Sequence, residues 1–165
     1  MRRPPARLAT PQSRPAGALR LAALRLLGRR DYTTAELTAR LIDRGYVPEE
    51  VAAIVARLVT DGSLDDRRAA RNHVRIATQV KSRGRVRILG ELRARGIDET
   101  LAREALSGLS ADDDRHAIER VLSRQLAGGP PSPAERNRLF RKLLRRGFPA
   151  DAIAAVLDKS SSVVE

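Results

Sequence analysis

Leucines recur along the chain at helical spacing. Residues 17–30 carry them at 19, 21, 24, 26 and 27 with arginines between, a broad apolar stripe of period near 3.6. No stretch alternates apolar and polar residues over any length, so strands are not expected. The same kind of corner then appears three times, as RLIDRGY at 40–46, ELRARGI at 91–97 and KLLRRGF at 142–148. Their glycines, Gly45, Gly96 and Gly147, stand 51 residues apart. Each is preceded by a leucine four residues back (Leu41, Leu92, Leu143) and by an arginine one back (Arg44, Arg95, Arg146). A bulky apolar residue follows each glycine: Tyr46, Ile97 or Phe148. Six and nine residues past the glycines stand Val51 with Ile54, Ala102 with Ala105, and Ile153 with Val156. A period of this size marks stacked supersecondary units.

The corner has a physical reading. Glycine just past the last periodic leucine suits the left-handed position that ends a helix, and arginine in the last turn favours the helix dipole. The bulky residue folds back on that turn. The next helix opens with Pro48 at its first position, with Asp98 as N-cap, or with Pro149.

Another helical stretch precedes each corner, so each unit of the period has three helices. The first set covers 17–30, a helix opened by a Thr33/Glu36 capping box, and 48–60. The second covers 65–81, 85–95 and 99–108. The third covers 113–127, 133–146 and 150–158, with Ser132-Pro133-Ala134-Glu135 as a capping box carrying Pro at N1. The predicted fold is all-α: three tandem three-helix, helix-turn-helix-like repeats in an elongated modular arrangement. The modules span 17–63, 64–109 and 110–158. Residues 1–16, with four arginines, four prolines and no acids, read as a disordered basic arm, and 159–165 as a frayed end. GGPPSP at 128–133 reads as a turn within the third module, with a hinge as the alternative.

Composition adds a constraint on packing. Of 165 residues, 42% are hydrophobic but only 2% aromatic, so Leu, Ile, Val and Ala must build the core. That set fills the space between short helices better than one large globule. With no cysteine, disulfides and thiol chemistry are excluded. No apolar run has the length of a membrane span, and the proline-interrupted N-terminus is not of signal-peptide type. A cytoplasmic monomer with no membrane contact is expected.

Charge makes the modules unequal. The net is +12, and Lys81, Lys142 and Lys159 are the only lysines. A genome that writes arginine for lysine explains that bias equally well, but not the net charge. The second module has 11 basic against 6 acidic residues. Arg67, Arg68, Arg71 and Arg75 lie on its first helix, with Arg67, Arg71 and Arg75 on one face by i, i+4, i+8 spacing. Lys81-Ser82-Arg83-Gly84-Arg85 at a helix start is suited to hold a phosphate through backbone N–H groups and arginines, with Arg87 and Arg95 beyond it. Arg138, Arg141, Lys142, Arg145 and Arg146 form a second cluster. These are the candidate partner- and DNA-binding residues; the alternative is a solvated face neutralised by local acids. With four aromatic residues in all, stacking platforms for bases are unavailable. Binding to single- or double-stranded DNA would be backbone-directed, salt-sensitive and weakly specific.

Catalytic chemistry finds no foothold. His73 and His116 have no second ligand at metal spacing. Asp112-Asp113-Asp114 and Asp65-Asp66 open helices, where carboxylates cap N–H groups. No phosphate-binding loop, nucleophile elbow or dinucleotide fingerprint occurs. No enzyme activity, metal or cofactor is expected.

With these residues in place, the chain resembles the bacterial RecX regulatory proteins. The resemblance lies in residues 18–37, with Leu26, Arg30, Tyr32, Glu36 and Leu37; in GSLDD at 62–66 with Ala70 and Arg71 after it; and in SRGRVRILGELRARGID at 82–98. It covers about residues 18 to 158, in the family's order. Ala69 departs from it, since the family usually has an aromatic after the LDD turn. The third module is assigned mainly on KLLRRGF. The resemblance implies a modulator of RecA, acting in recombination, DNA repair and the SOS response. Such a protein binds in the groove of the RecA–single-stranded-DNA filament, lowers ATP hydrolysis and strand exchange, and blocks filament extension or promotes disassembly. The alternative from a different class is a helix-turn-helix transcriptional regulator reading one duplex sequence.

Overall fold

A computed structural model describes residues 16–126 and 130–162. The expected basic arm, apart from Ala16, the first residues of the GGPPSP segment and the last three residues lie outside that range. The described residues are all-helical, in nine helices: α1 (Ala16–Leu27), α2 (Thr34–Ile42), α3 (Pro48–Thr60), α4 (Asp66–Gln79), α5 (Arg85–Ala94), α6 (Glu99–Ser107), α7 (Ala111–Ser123), α8 (Pro133–Arg145) and α9 (Ala150–Ser162). None is long and apolar enough to cross a membrane. The chain divides into two compact units. One holds the described residues up to Ala69 together with Arg95–Ile97; the other holds Ala70–Ala94 and the residues from Asp98 onward. The division falls inside α4.

In the first unit α1, α2 and α3 enclose an aliphatic core. Leu19, Ala23 and Leu26 meet Leu37 and Leu41 of α2 and Val51, Ile54, Val55 and Leu58 of α3, with Tyr46 and Leu64 closing the ends. Two of the five α1 leucines stay outside, since Leu21 and Leu24 are exposed. Helix α1 stops at Leu27 rather than at residue 30. There Gly28 N–H still reaches the Leu24 carbonyl (2.9 Å) and Arg29 N–H tightens to the Leu26 carbonyl (3.0 Å). The Thr33/Glu36 capping box forms as the spacing predicts.

In the second unit the largest core joins α7, α8 and α9. Ala117, Ile118, Val121 and Leu122 pack with Leu139, Leu143, Phe148, Ile153, Val156 and Leu157. Ile88 and Leu92 of α5 and Ala102 of α6 are buried as well. Helix α7 begins at Ala111, two residues earlier than expected, because Ser110 caps it in a box with Asp113. Asp98 caps α6, and Ser132 with Glu135 boxes the start of α8 behind Pro133, both as expected. Helix α9 runs to Ser162, beyond the expected end at 158.

The three repeated glycines all take the left-handed conformation, φ +83° at Gly45, +77° at Gly96 and +85° at Gly147. At two of them the same pair of hydrogen bonds closes the helix: Tyr46 N–H to the Leu41 carbonyl with Gly45 N–H to Ile42, and Phe148 N–H to Leu143 with Gly147 N–H to Leu144. Tyr46, Ile97 and Phe148 are buried, as the corner reading requires.

Candidate partner-binding surface

Two of these corners are seated on helix starts by the same set of contacts, one in each unit. In the first unit the Thr33 hydroxyl donates to the Arg95 carbonyl (2.6 Å), and the Arg95 guanidinium donates to the Asp31 carbonyl (3.1 Å). In the second, Gly84 N–H donates to the Arg146 carbonyl (2.9 Å), and the Arg146 guanidinium donates to the Ser82 carbonyl (3.3 Å). Thr33 and Gly84 are 51 residues apart, as are Asp31 and Ser82, and Arg95 and Arg146. The sequence period is therefore also a period of contacts. The approach is close in both places: a Cβ on Gly96 would lie 2.4 Å from that of Ala35, and a Cβ on Gly84 would lie 2.2 Å from the Gly147 carbonyl oxygen.

This arrangement reassigns several arginines that the sequence offers as binding residues. Arg95 holds Glu36 through Nε–Oε1 (3.1 Å) and Nη2–Oε2 (2.9 Å), and Arg30 joins from the other side (3.2 Å) with its guanidinium 3.8 Å above the Tyr32 ring. Burial, the largest influence on Glu36, pushes its pKa up. The hydrogen bonds from Arg95, Thr33 N–H and Arg30 prevail and hold it at about 2. Arg95 and Arg146 are thus clamps within their units.

The segment 81–85, the candidate phosphate cradle, is bonded within the fold. Arg83 N–H donates to Ala77 (3.0 Å), Gly84 N–H to Arg146 and Val86 N–H to Gly147 (3.1 Å), so protein carbonyls already take these three donors. The side chains are engaged too. Arg83 (2.6 Å) and Arg87 (2.9 Å) converge on Glu91. His73 Nε2 lies 3.0 Å from the same carboxylate, so this histidine has an acidic partner that its isolated place in the sequence conceals. Burial acts most strongly on Glu91, raising its pKa, but Arg87, Arg83 and His73 outweigh it and lower the net value. Arg85 meets Asp114 (Nε–Oδ2, 2.6 Å) and donates to the carbonyls of Leu109 (3.3 Å) and Ser110 (3.1 Å).

Capping therefore accounts for only part of the two acidic runs. Asp113 closes the box at α7 and Asp65 accepts from Arg68 N–H (3.0 Å). Asp114 instead is buried against Arg85, and Asp66 accepts from the N–H (2.7 Å) and hydroxyl (3.1 Å) of Thr34 at the start of α2.

Other candidate cations are on exposed helix faces. On α4, Arg67, Arg68, Arg71 and Arg75 are all exposed. Arg68 donates to the Gly62 (3.2 Å) and Ser63 (3.0 Å) carbonyls, and Arg75 reaches the Asn72 side-chain carbonyl (2.8 Å). Arg71 has no ion pair among the described residues. Lys81 is exposed beyond α4. On α8, Arg138, Arg141 and Arg145 are exposed at i, i+3, i+7 spacing, one face of the helix, with Lys142 half-buried beside them. Beside α4 the second unit also has a cleft of about 320 Å³, with Arg71 and Arg75 on one wall. Neither the long-range clamps nor this cleft was visible to spacing on a single helix, although the shared register of Arg95 and Arg146 was a signal for the clamps.

Comparison with known proteins agrees with the fold. Two family models match, "RecX, first three-helix domain" over residues 20–58 and "RecX, second three-helix domain" over residues 65–106. The regulatory protein RecX of Chromohalobacter salexigens is 40% identical over 126 residues, covering 76% of this chain and 82% of that protein. That of Trichlorobacter lovleyi is 37% identical over 143 residues, covering 84% and 93%. The crystal structure of RecX from Lactobacillus salivarius superposes with a TM-score of 0.76 at 20% identity, over 90% of this chain and 97% of that one.

Proposed function

The chain belongs to the RecX family, and on that premise we propose that it binds the RecA–single-stranded-DNA filament and restrains RecA. It lowers ATP hydrolysis and strand exchange and limits filament growth, without chemistry of its own. A ligand that prefers one state of a filament shifts the population toward that state by the difference in its affinities. The observation that supports this reading most is the division of labour among the arginines. Those at 83, 85, 87, 95 and 146 are spent on holding the helices together, whereas those at 71, 75, 138, 141 and 145 face solvent.

The exposed set, together with Arg67, Lys81 and Lys142, supplies the contacts to the partner. The α8 face, without an aromatic platform, meets DNA phosphates as charge, so its contribution weakens steeply with salt. Guanidinium forks suit both phosphates and carboxylates, so the same residue type serves nucleic acid and the acidic surface of RecA. The test is RecA's single-stranded-DNA-dependent ATPase titrated with the protein. Inhibition is expected at substoichiometric protein and should fade as salt rises. No effect at one molecule per few RecA protomers contradicts the reading.

A further inference from the structure

The cleft beside α4 lies wholly within the second unit. Arg71 and Arg75, one helical turn apart, supply its cationic lining (the wall), Val74, Ala105 and Leu109 its aliphatic lining (the floor), and Thr78, Gln79, Gly108 and Asp113 the rest. The floor is aliphatic. Asp113 is tied to Ser110 through both its N–H and its hydroxyl (2.8 Å each), and these bonds, the backbone one foremost, hold its carboxyl below the usual range. It is therefore a fixed negative charge. The two arginines are not matched by any acid of the described chain, since Arg71 has no ion pair and Arg75 bonds a neutral amide.

These features discriminate between polyanions and proteins. A nucleic-acid strand running through the cleft would bring successive phosphates past Asp113 and would lay its bases on a floor with no ring to stack on. A protein segment avoids both difficulties. One aliphatic side chain fills the floor, a volume at the lower end of those that hold small ligands, and one or two carboxylates beside it meet the arginine forks bidentately.

We propose that this cleft seats an acidic segment with an aliphatic anchor, carried on the surface of the partner protein. Resting on the functional reading above, it makes α4 the protein-facing element and leaves α8 to the phosphates. In such a seat the anchor sets the affinity, and the flanking charges set orientation and partner choice.

The test compares two ligands, RecA filaments and a free fluorescent oligo(dT), with the full chain and two variants. Ala105→Trp fills the floor from a half-buried helix position, and the double change Arg71→Glu, Arg75→Glu reverses the wall at exposed positions. Both variants are first compared with the wild type by circular dichroism. If Ala105→Trp does not fold, the double variant alone decides. Affinity for filaments should fall at least tenfold, while affinity for oligo(dT) should stay within twofold for Ala105→Trp. Unchanged filament affinity in the folded variants overturns the cleft assignment alone. Parallel loss of both ligands by Ala105→Trp overturns it in favour of a nucleic-acid seat. A wild-type chain that ignores RecA filaments overturns the functional reading and the cleft with it.

Discussion

Asp114 and Arg85 form an ion pair in which the two partners are unequally placed. The carboxylate side chain is 6% exposed and the guanidinium 38%. Removing the arginine strands a buried charge, whereas removing the acid leaves a cation that water can reach. Arg85→Ala should destabilise the protein by about 3 kcal/mol, and Asp114→Asn by clearly less; urea unfolding measures both. Equal losses would show that the carboxylate is not the buried member. Glu36 supplies a pH dependence. Its carboxyl titrates at about 2 in the fold against an ordinary 4.5, so its stabilisation is fully present above pH 4.5 and drains away as the pH falls toward 2. Thermal melts from pH 6 to pH 3 should show a drop for the wild type that is reduced in Glu36→Gln. These residues also mark the reach of the sequence. The boxes Thr33/Glu36 and Ser132/Glu135 are legible because each is complete within four residues. Glu36 is seen as a cap but not as the ligand of Arg95, 59 residues away, nor Asp114 as that of Arg85, 29 away. Local spacing carries no information about a partner on another helix.

At the scale of elements, the leucine stripes locate the helices and the repeated glycines locate their ends. Helix α7 begins early because its Ser110 cap overrides the apolar period, and α1 ends short at Leu27. What the repeat conceals is that Arg95 and Arg146 each bond backbone carbonyls of a preceding helix start. The same arginine-glycine sequence serves a helix cap in all three corners, and only the fold shows the two seated on a helix start. Substitutions of glycine separate these roles. Gly147→Ala places a Cβ at φ +85° and 2.4 Å from Arg87. The conformational strain alone costs about 1–3 kcal/mol, so its melting temperature should fall by several degrees. Gly90→Ala lies in α5 with nothing within 4 Å and should stabilise by about 0.5–1 kcal/mol. A Gly147→Ala protein as stable as the wild type would remove the seated corner from the account.

For the whole molecule, the net charge of +12 overstates the binding surface. Several arginines are engaged by Glu36, Glu91, Asp114 and backbone carbonyls, and α4 and α8 carry exposed arginines that are not. The all-helical class and the absence of stacking aromatics were legible from composition and period. The selection of free from committed arginines was not, because it depends on which acids the fold brings near. The measurement that tests this most directly is co-sedimentation with RecA filaments on single-stranded DNA, for the wild type and for a variant with Arg71, Arg75, Arg141 and Arg145 changed to glutamate. The wild type should pellet with the filaments and the variant should remain in the supernatant while keeping its helical spectrum. A variant that pellets as fully as the wild type, or a wild type that does not pellet, would contradict the account.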